Sequence, residues 1–341
     1  MKVLVTGISG YIGLPLGAVL EQRHHQVSGL DTGFYSRACL LDEGYPIHRP
    51  VARKDIRQIT GQDVAGYEAV LHLGELSNDP LGQLNPELTY AINHAASVRL
   101  AQLCKEAGVS RFIYSSSCSV YGLGSGEFKD EESPLNPQTA YAACKARVEQ
   151  DVSRLADDRF SPTFLRNATA FGPAPRFRFD VVLNNLSGLA ATAGEIRLNS
   201  DGSPWRPLVH VLDIAQAFAC VLEAPREAVH NQVFNVGATA ENYRVREIAE
   251  IVARAFPGCP IHMGNGDKDS RSYRVSFEKI RHALPGFACS RTAADGAREL
   301  RELFDRLGLS RELFEHRAFT RIKQILHLRR TNQINQHLFW N

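Results

Sequence analysis

Three glycines near the start of the chain constrain its fold more than any other feature of the sequence. Gly7, Gly10 and Gly13 are spaced three residues apart and follow Lys2–Thr6, a run rich in valine and leucine. Such a run is typical of a buried parallel strand. Because glycine has no Cβ, the turn after this strand can be tight, and a pyrophosphate can approach the backbone at the N-terminus of a following helix. The pattern therefore predicts a strand, a glycine turn and a helix.

A carboxylate follows at a distance that suits the same ligand. Val27–Leu30 begins a second strand, and Asp31 ends it 18 residues after Gly13. At this position a carboxylate accepts hydrogen bonds from the ribose of adenosine. A glycine-rich turn that binds nothing is the alternative, but the succession of strand, turn, helix, strand and Asp argues against it. Asp31 would also repel a 2′-phosphate, so the sequence favours NAD over NADP.

The composition excludes several other classes of protein. With 341 residues, 44% of them hydrophobic and 22% charged, the chain has the composition of a soluble globular protein of one large or two unequal domains. A net charge of +2 gives no field that would attract nucleic acid. Seven scattered cysteines fit a reducing compartment without structural zinc. Since no apolar run approaches the roughly 20 residues of a membrane helix, we expect a cytoplasmic protein that does not enter membranes.

Segments with strand-like and helix-like patterns alternate along the first half of the chain. This alternation predicts a parallel, doubly wound sheet. Helical spacing extends over Pro86–Ala107, and Asp213 is expected to cap a helix over Ile214–Leu222. Further strands are predicted at Ile47–Val51, Ala69–Leu73, Arg111–Ser115 and Ser161–Arg166.

A serine, a tyrosine and a lysine form the candidate catalytic group. Tyr141 and Lys145 are four residues apart on a predicted helix, and Ser117 follows a predicted strand. A tyrosine with its ordinary pKa near 10 is a poor base, but a nearby ammonium group and oxidised nicotinamide both favour the phenolate. Lowering this pKa to 7 takes about 4 kcal/mol. We therefore predict Tyr141 as the base, Lys145 as its helper and Ser117 as a donor to the same substrate oxygen.

Three motifs give the chain a family resemblance. Thr6–Gly13 reads TGISGYIG, Ser116–Gly122 reads SSCSVYG, and Tyr141–Lys145 reads YAACK. Together they resemble the extended short-chain dehydrogenase/reductases that act on nucleotide sugars, such as UDP-glucose 4-epimerase and the dTDP-glucose 4,6-dehydratases. The resemblance runs over nearly the whole chain. It implies a bound NAD that takes a hydride from a sugar carbon and returns it.

The resemblance implies further contacts with the cofactor. Asp55 and Ile56 fall where the family binds adenine, although a solvated carboxylate in a turn is an equal alternative for Asp55. Asn93 falls where the family holds a helix against the active site, the alternative being an exposed polar residue. The positions expected at the NAD site are Gly7, Gly10, Tyr11, Ile12, Gly13, Asp31, Asp55, Ile56, Leu73, Asn93, Tyr141 and Lys145.

The resemblance also implies a site for a nucleotide diphosphate sugar. Arg206 would clamp a phosphate, because a guanidinium group suits paired oxygens. Arg271 is the candidate second phosphate arginine, and a solvated surface arginine is the alternative. The family usually has Asn where this chain has Thr169, which places that contact in question. The expected substrate positions are Ser77, Ser119, Asn167, Thr169, Asn185, Arg206 and Arg271, and no metal ligands are expected.

Two departures from the family pattern bear on the reaction. The 4,6-dehydratases have Asp-Glu where this chain has Cys118 and Ser119, so the carboxylates that remove water are missing. This favours epimerisation, although the Cys118 thiol could replace the acid in a variant dehydratase or could pack beneath the nicotinamide. Glu75 stands where the family has small residues, and an acid near a pyrophosphate is unfavourable unless it points away.

We therefore expect an α/β fold, a Rossmann-type doubly wound parallel sheet with a smaller α/β lobe that binds the substrate. Residues 1–170 and 206–240 would form the NAD-binding domain. Residues 171–205 and 241–341 would form the substrate lobe and a C-terminal tail packed on the body.

The predicted function is an NAD-dependent epimerase, at C4, of a nucleotide sugar. A variant dehydratase that uses Cys118 and a nucleotide-sugar ketoreductase are the alternative enzymes, and an NAD-sensing regulator is the alternative outside enzymes. The family resemblance implies a homodimer formed through helices at 86–107 and 138–156.

Overall fold

The computed structural model describes residues 1–36, 39–40, 49–266 and 271–341. The strands in the first half are β1 (Lys2–Thr6), β2 (Gln26–Asp31), β3 (Val51–Arg53), β4 (Ala69–His72), β5 (Arg111–Ser117), β6 (Leu123–Lys129) and β7 (Ser161–Asn167). Those in the second half are β8 (Thr169–Phe171), β9 (Ile196–Arg197), β10 (Trp205–His210), β11 (Gln232–Val236), β12 (Asn242–Arg244), β13 (Ile261–His262) and β14 (Ser272–Val275).

The helices alternate with these strands through the first half of the chain and predominate near its end. The α-helices up to residue 193 are α1 (Gly13–Gln22), α2 (Gly61–Val64), α3 (Asp79–Leu84), α4 (Pro86–Thr89), α5 (Ser97–Glu106), α6 (Ala140–Ser153) and α7 (Val182–Ala193). The later ones are α8 (Val211–Glu223), α9 (Arg226–Val229), α10 (Val245–Ala255), α11 (Glu278–Ala283), α12 (Ala293–Leu307), α13 (Arg311–Glu315) and α14 (Arg321–Arg330). None of the helices in the described ranges has the length and apolar character needed to cross a membrane.

The centre of the fold is a seven-stranded sheet with the order β11-β7-β5-β4-β1-β2-β3. Every pair of neighbouring strands in it is parallel. β1 lies between β2 and β4, so the chain changes its direction of winding at this strand. The predicted Rossmann-type sheet is thereby confirmed, and ligands of such sheets bind at the carboxyl ends of the strands beside this point.

Alternate side chains of the central strands enter two separate cores. Val3 and Val5 pack with residues of α1 and α8 on one face, whereas Leu4 packs with residues of α5 and α6 on the other. Both faces are therefore covered by helices, which explains why the three central residues of β1, Val3–Val5, are all apolar.

Smaller sheets and a third core form the part of the molecule that faces the carboxyl ends. β10 pairs with β8 and β12, β9 pairs with β13, and β6 pairs with β14. Residues of α7, α10 and α12 bury a common apolar core there. Residues 277–287, which the sequence placed with the substrate lobe, pack against the central sheet beside α8.

Three local predictions differ from the structure. The third strand runs over Val51–Arg53, and residues 47 and 48 of the predicted strand lie outside the described residues. The predicted helix over Pro86–Ala107 is divided by a π-helical turn over Tyr90–Ala96. The prediction that Asp213 caps a helix is wrong, because that helix begins at Val211 and has His210 as its cap.

The C-terminal segment packs beside β2 and the residues that follow it. Ile325 and Leu328 of α14, with Ile334 and Leu338 beyond it, are buried in the same core as Leu4. The side-chain amide of Gln324 donates to the carbonyl of Phe34 at 3.1 Å. The tail thus lies on the body as predicted, next to the residues that follow β2.

Candidate active site

The glycine turn between β1 and α1 is closed too tightly for larger residues. A Cβ on Gly7 would lie 2.8 Å from backbone atoms of Leu73 and Gly74, and one on Gly13 would lie 2.3 Å from the carbonyl oxygen of Gly7. Gly7 also has a φ of +73°, which glycine adopts without strain. Glycine at these two positions therefore lets the turn pack this closely against the end of β4 and the start of α1.

The start of α1 and the end of β2 fit the two ends of an adenosine diphosphate group. No side chain caps α1, and its first turn holds no acidic residue, so the positive end of the helix can face a pyrophosphate. The Asp31 carboxylate accepts hydrogen bonds from the backbone N–H groups of Ser9 at 3.1 Å and Gly33 at 2.8 Å. Burial raises the pKa of Asp31. The remaining lone pairs of its oxygens suit the hydroxyls of a ribose.

One cavity of about 700 Å³ connects the glycine turn with the opposite lobe. The predicted NAD residues that line it are Gly7, Gly10, Tyr11, Ile12, Gly13, Asp31, Asp55, Ile56, Leu73, Tyr141 and Lys145. Asn93 does not line it. Its side chain instead accepts from and donates to the backbone of Leu76, both at 2.9 Å, and so fixes the loop that follows β4.

Asp55 occupies a buried position at the adenosine end of the cavity. Its carboxylate accepts hydrogen bonds from the guanidinium of Arg57 at 2.9 and 2.7 Å and from the Arg57 backbone at 2.8 Å. It is therefore not a solvated turn residue. The C-terminal tail lies beside it, where the Trp340 indole donates to the carbonyl of Thr32 at 2.7 Å and stacks on Arg53.

The candidate catalytic residues converge on the middle of the cavity. Ser117 ends β5, while Tyr141 and Lys145 lie one turn apart on α6, whose N-cap is Thr139. The Lys145 ammonium nitrogen is 5.5 Å from the centroid of the Tyr141 ring and donates to the carbonyl of Ser115. The strand end and the helix thus bring the three predicted side chains to one place.

The charges around Tyr141 oppose one another. Burial raises the pKa of Tyr141, Lys145 lowers it, Glu75 and Asp79 raise it, and a hydrogen bond with Ser117 lowers it. The net effect is a raised pKa, so the protein groups alone do not make this phenol acidic. A bound nicotinamide in its oxidised form would add positive charge here.

Cys118 lies behind the site rather than in it. Its thiol is buried, is not part of the cavity lining, and donates to the backbone carbonyl of Arg166 at 3.1 Å. Burial raises the pKa of this thiol well above its ordinary value. These observations fit a packing role better than that of a proton donor to a sugar.

The predicted substrate residues all line the same cavity. They are Ser77, Ser119, Asn167, Thr169, Asn185, Arg206 and Arg271. Arg206 is buried and donates to the backbone carbonyls of Trp205 and Arg271. The Arg271 guanidinium forms an ion pair with Asp79, which also accepts a hydrogen bond from Thr139. Arg271 is therefore anchored at the cavity wall and is not a solvated surface residue.

Several charged residues of the cavity were not predicted as site residues, among them Arg178, Arg321 and Glu75. Arg178 forms an ion pair with Asp180 at 2.7 Å, and Arg321 of α14 stacks on the ring of Tyr35 at 4.1 Å. Burial and the charge of Arg178 lower the pKa of Arg321 to about 10. Glu75, noted only as a departure, is an ion-pair partner of Lys145 at 2.8 Å. Arg178 and Arg321 do not belong to a recognisable sequence motif. Their place in the cavity could not be predicted, because it depends on how distant segments of the chain pack together.

The described residues contain no group of three or more His, Cys, Asp or Glu side chains placed to hold a metal ion. The charged side chains of the cavity are arranged in ion pairs instead, such as those of Lys145, Arg178 and Arg271.

Comparison with known proteins agrees with this geometry. The model of the NAD dependent epimerase/dehydratase family matches residues 3–237. A UDP-glucose 4-epimerase of Mycolicibacterium smegmatis is 30% identical over 270 residues, which cover 76% of this chain and 84% of the relative. The one from Corynebacterium glutamicum is 27% identical over 276 residues, or 76% of this chain and 82% of the relative. The structure of MoeE5 with UDP-glucose and NAD has a TM-score of 0.75 and 25% identity, covering 90% of this chain and 99% of that one.

Proposed function

This chain belongs to the NAD-dependent epimerase/dehydratase family, and from that premise we propose that it epimerises a nucleotide diphosphate sugar at C4. The observation that carries the proposal is the convergence of Ser117, Tyr141 and Lys145 in one cavity with the glycine turn and Asp31. When NAD is bound, it supplies the acceptor and later the donor of a hydride.

Each catalytic side chain has a separate task in this proposal. Tyr141 takes the proton of the sugar hydroxyl and returns it after the sugar has turned over in the cleft. Ser117 donates to the same oxygen and keeps it within reach of the phenol. Lys145 lies close enough to stabilise the phenolate.

The position of Cys118 argues against the variant dehydratase. Loss of water needs a group that gives a proton to the departing hydroxyl, but this thiol donates to a backbone carbonyl outside the cavity lining. Ser119 is the neighbouring residue that does line the cavity, and its hydroxyl is a weak acid. Epimerisation requires neither group.

Recognition of the substrate is assigned to the far side of the cavity. Arg206 and Arg271 are joined there by a hydrogen bond from the Arg206 guanidinium to the Arg271 carbonyl. Guanidinium groups suit the paired oxygens of a diphosphate. Asn185 lies on α7 in the same lining, and we assign it to the same phosphates.

The reaction is tested with a panel of UDP-, GDP-, CDP- and dTDP-sugars. The best ligand is chosen by thermal shift, and NMR then identifies the product formed by the purified enzyme. We expect an inverted C4 centre with no loss of water. A 4-keto-6-deoxy product would instead establish a dehydratase, and net consumption of reduced cofactor would establish a ketoreductase.

The assigned base is tested with Tyr141→Phe. This variant should keep its NAD and lose turnover, because the ring remains while the proton acceptor is gone. Turnover that is unchanged would exclude Tyr141 as the base. Loss of NAD together with turnover would assign the residue to cofactor binding alone.

We extend the proposal to a cytoplasmic homodimer formed through the helices at 86–107 and 138–156, which include α5 and α6. The family resemblance supports this arrangement. Light scattering on the purified protein should give twice the mass of one chain, and a single-chain mass would exclude the dimer.

A further inference from the structure

Glu75 is a buried acidic residue that lines the candidate active site but belongs to none of the three sequence motifs. It follows β4, its side chain is 2% exposed, and it points away from the glycine turn toward α6. One carboxylate oxygen lies 2.8 Å from the Lys145 ammonium nitrogen. The other accepts hydrogen bonds from the Tyr114 hydroxyl at 2.7 Å and the Ser97 hydroxyl at 3.1 Å. The carboxylate is therefore held in a fixed position.

The ion pair changes what Lys145 can do for its neighbours. An ammonium group has three N–H donors. Here the group donates to the Ser115 carbonyl and pairs with Glu75, so fewer donors remain for a ligand. The negative charge of Glu75 also offsets the positive charge that would act on Tyr141, because the two charges are in contact and both are buried.

We infer that Glu75 is a positioning residue that fixes Lys145 and offsets its charge, so that Tyr141 loses its proton, and can then act as the base, only when further positive charge is present in the cleft. The inference rests on the proposed function, in which Tyr141 is the base. Oxidised nicotinamide carries such a charge and reduced nicotinamide does not. The carboxylate thus raises the proton affinity of Tyr141, so that the added positive charge of an occupied cofactor site is needed to favour the phenolate.

Other groups around this pair are accounted for by their own partners. Asp79 is bound by Arg271 and Thr139, and Glu149 is bound by Arg166. Glu75 is the acid that contacts Lys145 directly. The titratable or charged groups that face the pair from the surrounding elements are His72, Asp79, Tyr114, Tyr141, Cys144, Glu149 and Arg178.

The test is Glu75→Gln, which keeps the shape of the side chain and can keep its hydrogen bonds while removing the charge. Titration of Tyr141 is followed by the ultraviolet absorbance of tyrosinate in the enzyme as purified. The contribution of Tyr141 is obtained by subtracting the curve of the same protein with Tyr141→Phe. We expect the midpoint to move to lower pH by about one unit in the variant. The low-pH limb of turnover should move in the same direction.

Matched variants separate charge from structure. Ser97→Ala removes one hydrogen bond to Glu75 but no charge, and its Tyr141 midpoint should stay within a few tenths of a unit of the unmodified protein. Glu75→Asp keeps the charge at a greater distance, so its midpoint should lie between the other two. If Glu75→Gln does not fold, the Asp variant carries the test, and a downward shift in it supports the inference.

An unchanged or higher midpoint in folded Glu75→Gln would overturn the inference, as would an equal shift in Ser97→Ala. These outcomes are distinct from failure of the proposed function. The titration needs no sugar, so it reports on Glu75 even when no nucleotide sugar is turned over. Conversely, if a nucleotide sugar is turned over but the Tyr141 midpoint is unchanged in Glu75→Gln, the proposed function stands and the role inferred for Glu75 is wrong.

Discussion

Gly13 shows how a single missing atom shapes the cofactor site. A Cβ there would lie 2.3 Å from the Gly7 carbonyl oxygen, well inside contact distance, and the obstacle is backbone rather than a flexible side chain. The turn would have to open, and the start of α1 would move away from the pyrophosphate position. The local pattern of glycines therefore carried reliable information about this part of the structure.

Gly13→Ala should accordingly lose NAD while much of the fold remains. We expect the affinity for NAD to fall at least tenfold, a change of about 1.4 kcal/mol, and the variant to be purified with less NAD than the unmodified protein. Released nucleotide is measured after denaturation. Gly61→Ala is the control, since a Cβ at Gly61 would meet nothing within 4 Å. Normal NAD content in Gly13→Ala would show that the turn accommodates a side chain.

Arg206 allows the substrate side to be tested separately. Arg206→Ala should raise the KM for the nucleotide sugar about 10- to 100-fold, since hydrogen bonds to charged groups contribute roughly 1.5–3 kcal/mol. NAD content should stay unchanged because the glycine turn is not altered. Steady-state kinetics and nucleotide content measure the two effects, with the exposed Arg254→Ala as control. Equal damage to NAD binding would contradict the assignment of Arg206 to substrate.

The proximity of Tyr141 and Lys145 was predictable for a specific reason. Tyr141 and Lys145 are one helical turn apart, so their proximity follows from local geometry. The partner of Lys145 was not predictable, because Glu75 reaches it only through the pairing of β4 with β5 and the packing of α6. The sequence marked Glu75 as unusual, and the structure was needed to find what it contacts.

At the scale of secondary structure, the C-terminal tail is an element whose place no local pattern could indicate. The helical spacing of its apolar residues predicted that the tail would pack on the rest of the protein, but it did not indicate where. Its contacts are with Thr32, Phe34 and Arg53, about 300 residues earlier in the chain. The π-helical turn over Tyr90–Ala96 was likewise hidden, since its side chains keep helical spacing. The parallel strands, by contrast, were recognisable from composition because both faces are buried.

Trp340→Ala tests whether the tail supports the adenosine end of the site. The variant loses the hydrogen bond to Thr32 and the stacking on Arg53, so residues around Asp55 should be held less firmly. We expect NAD to dissociate at least severalfold faster, as measured by exchange with labelled NAD. Leu326→Ala, which changes an exposed position of α14, is the matched control. Equal exchange rates in both variants would exclude the tail from cofactor retention.

At the scale of the whole molecule, His72 links folding to pH. It is fully buried at the end of β4, where its ring contacts the hydroxyls of Thr6 at 2.6 Å and Ser97 at 2.8 Å. Burial, and to a lesser degree the charge of Lys145, lowers the pKa of His72 from 6.5 to about 3. Below pH 6.5 the unfolded chain therefore binds a proton at His72, whereas the folded chain does so only when the pH approaches 3.

The sign of the effect follows from that difference. His72 contributes its full stability above about pH 6.5, and the contribution falls as the pH drops toward 3. Between pH 7 and pH 5 the free energy of unfolding should decrease by about 2 kcal/mol from this residue. Denaturant unfolding at both pH values measures the change. His72→Asn should show a smaller decrease than the exposed His337→Asn, and equal decreases would contradict the prediction.

Tyr11 joins the two sides of the cleft, and this has a thermodynamic consequence. Its hydroxyl donates to the Gly172 carbonyl at 2.6 Å and accepts from Asn184 of α7 at 3.0 Å, although the residue itself belongs to the glycine turn. An occupant that orders the turn should therefore also order the opposite wall of the cleft. By linkage, two ligands that are coupled through Tyr11 should each strengthen the binding of the other by the same factor.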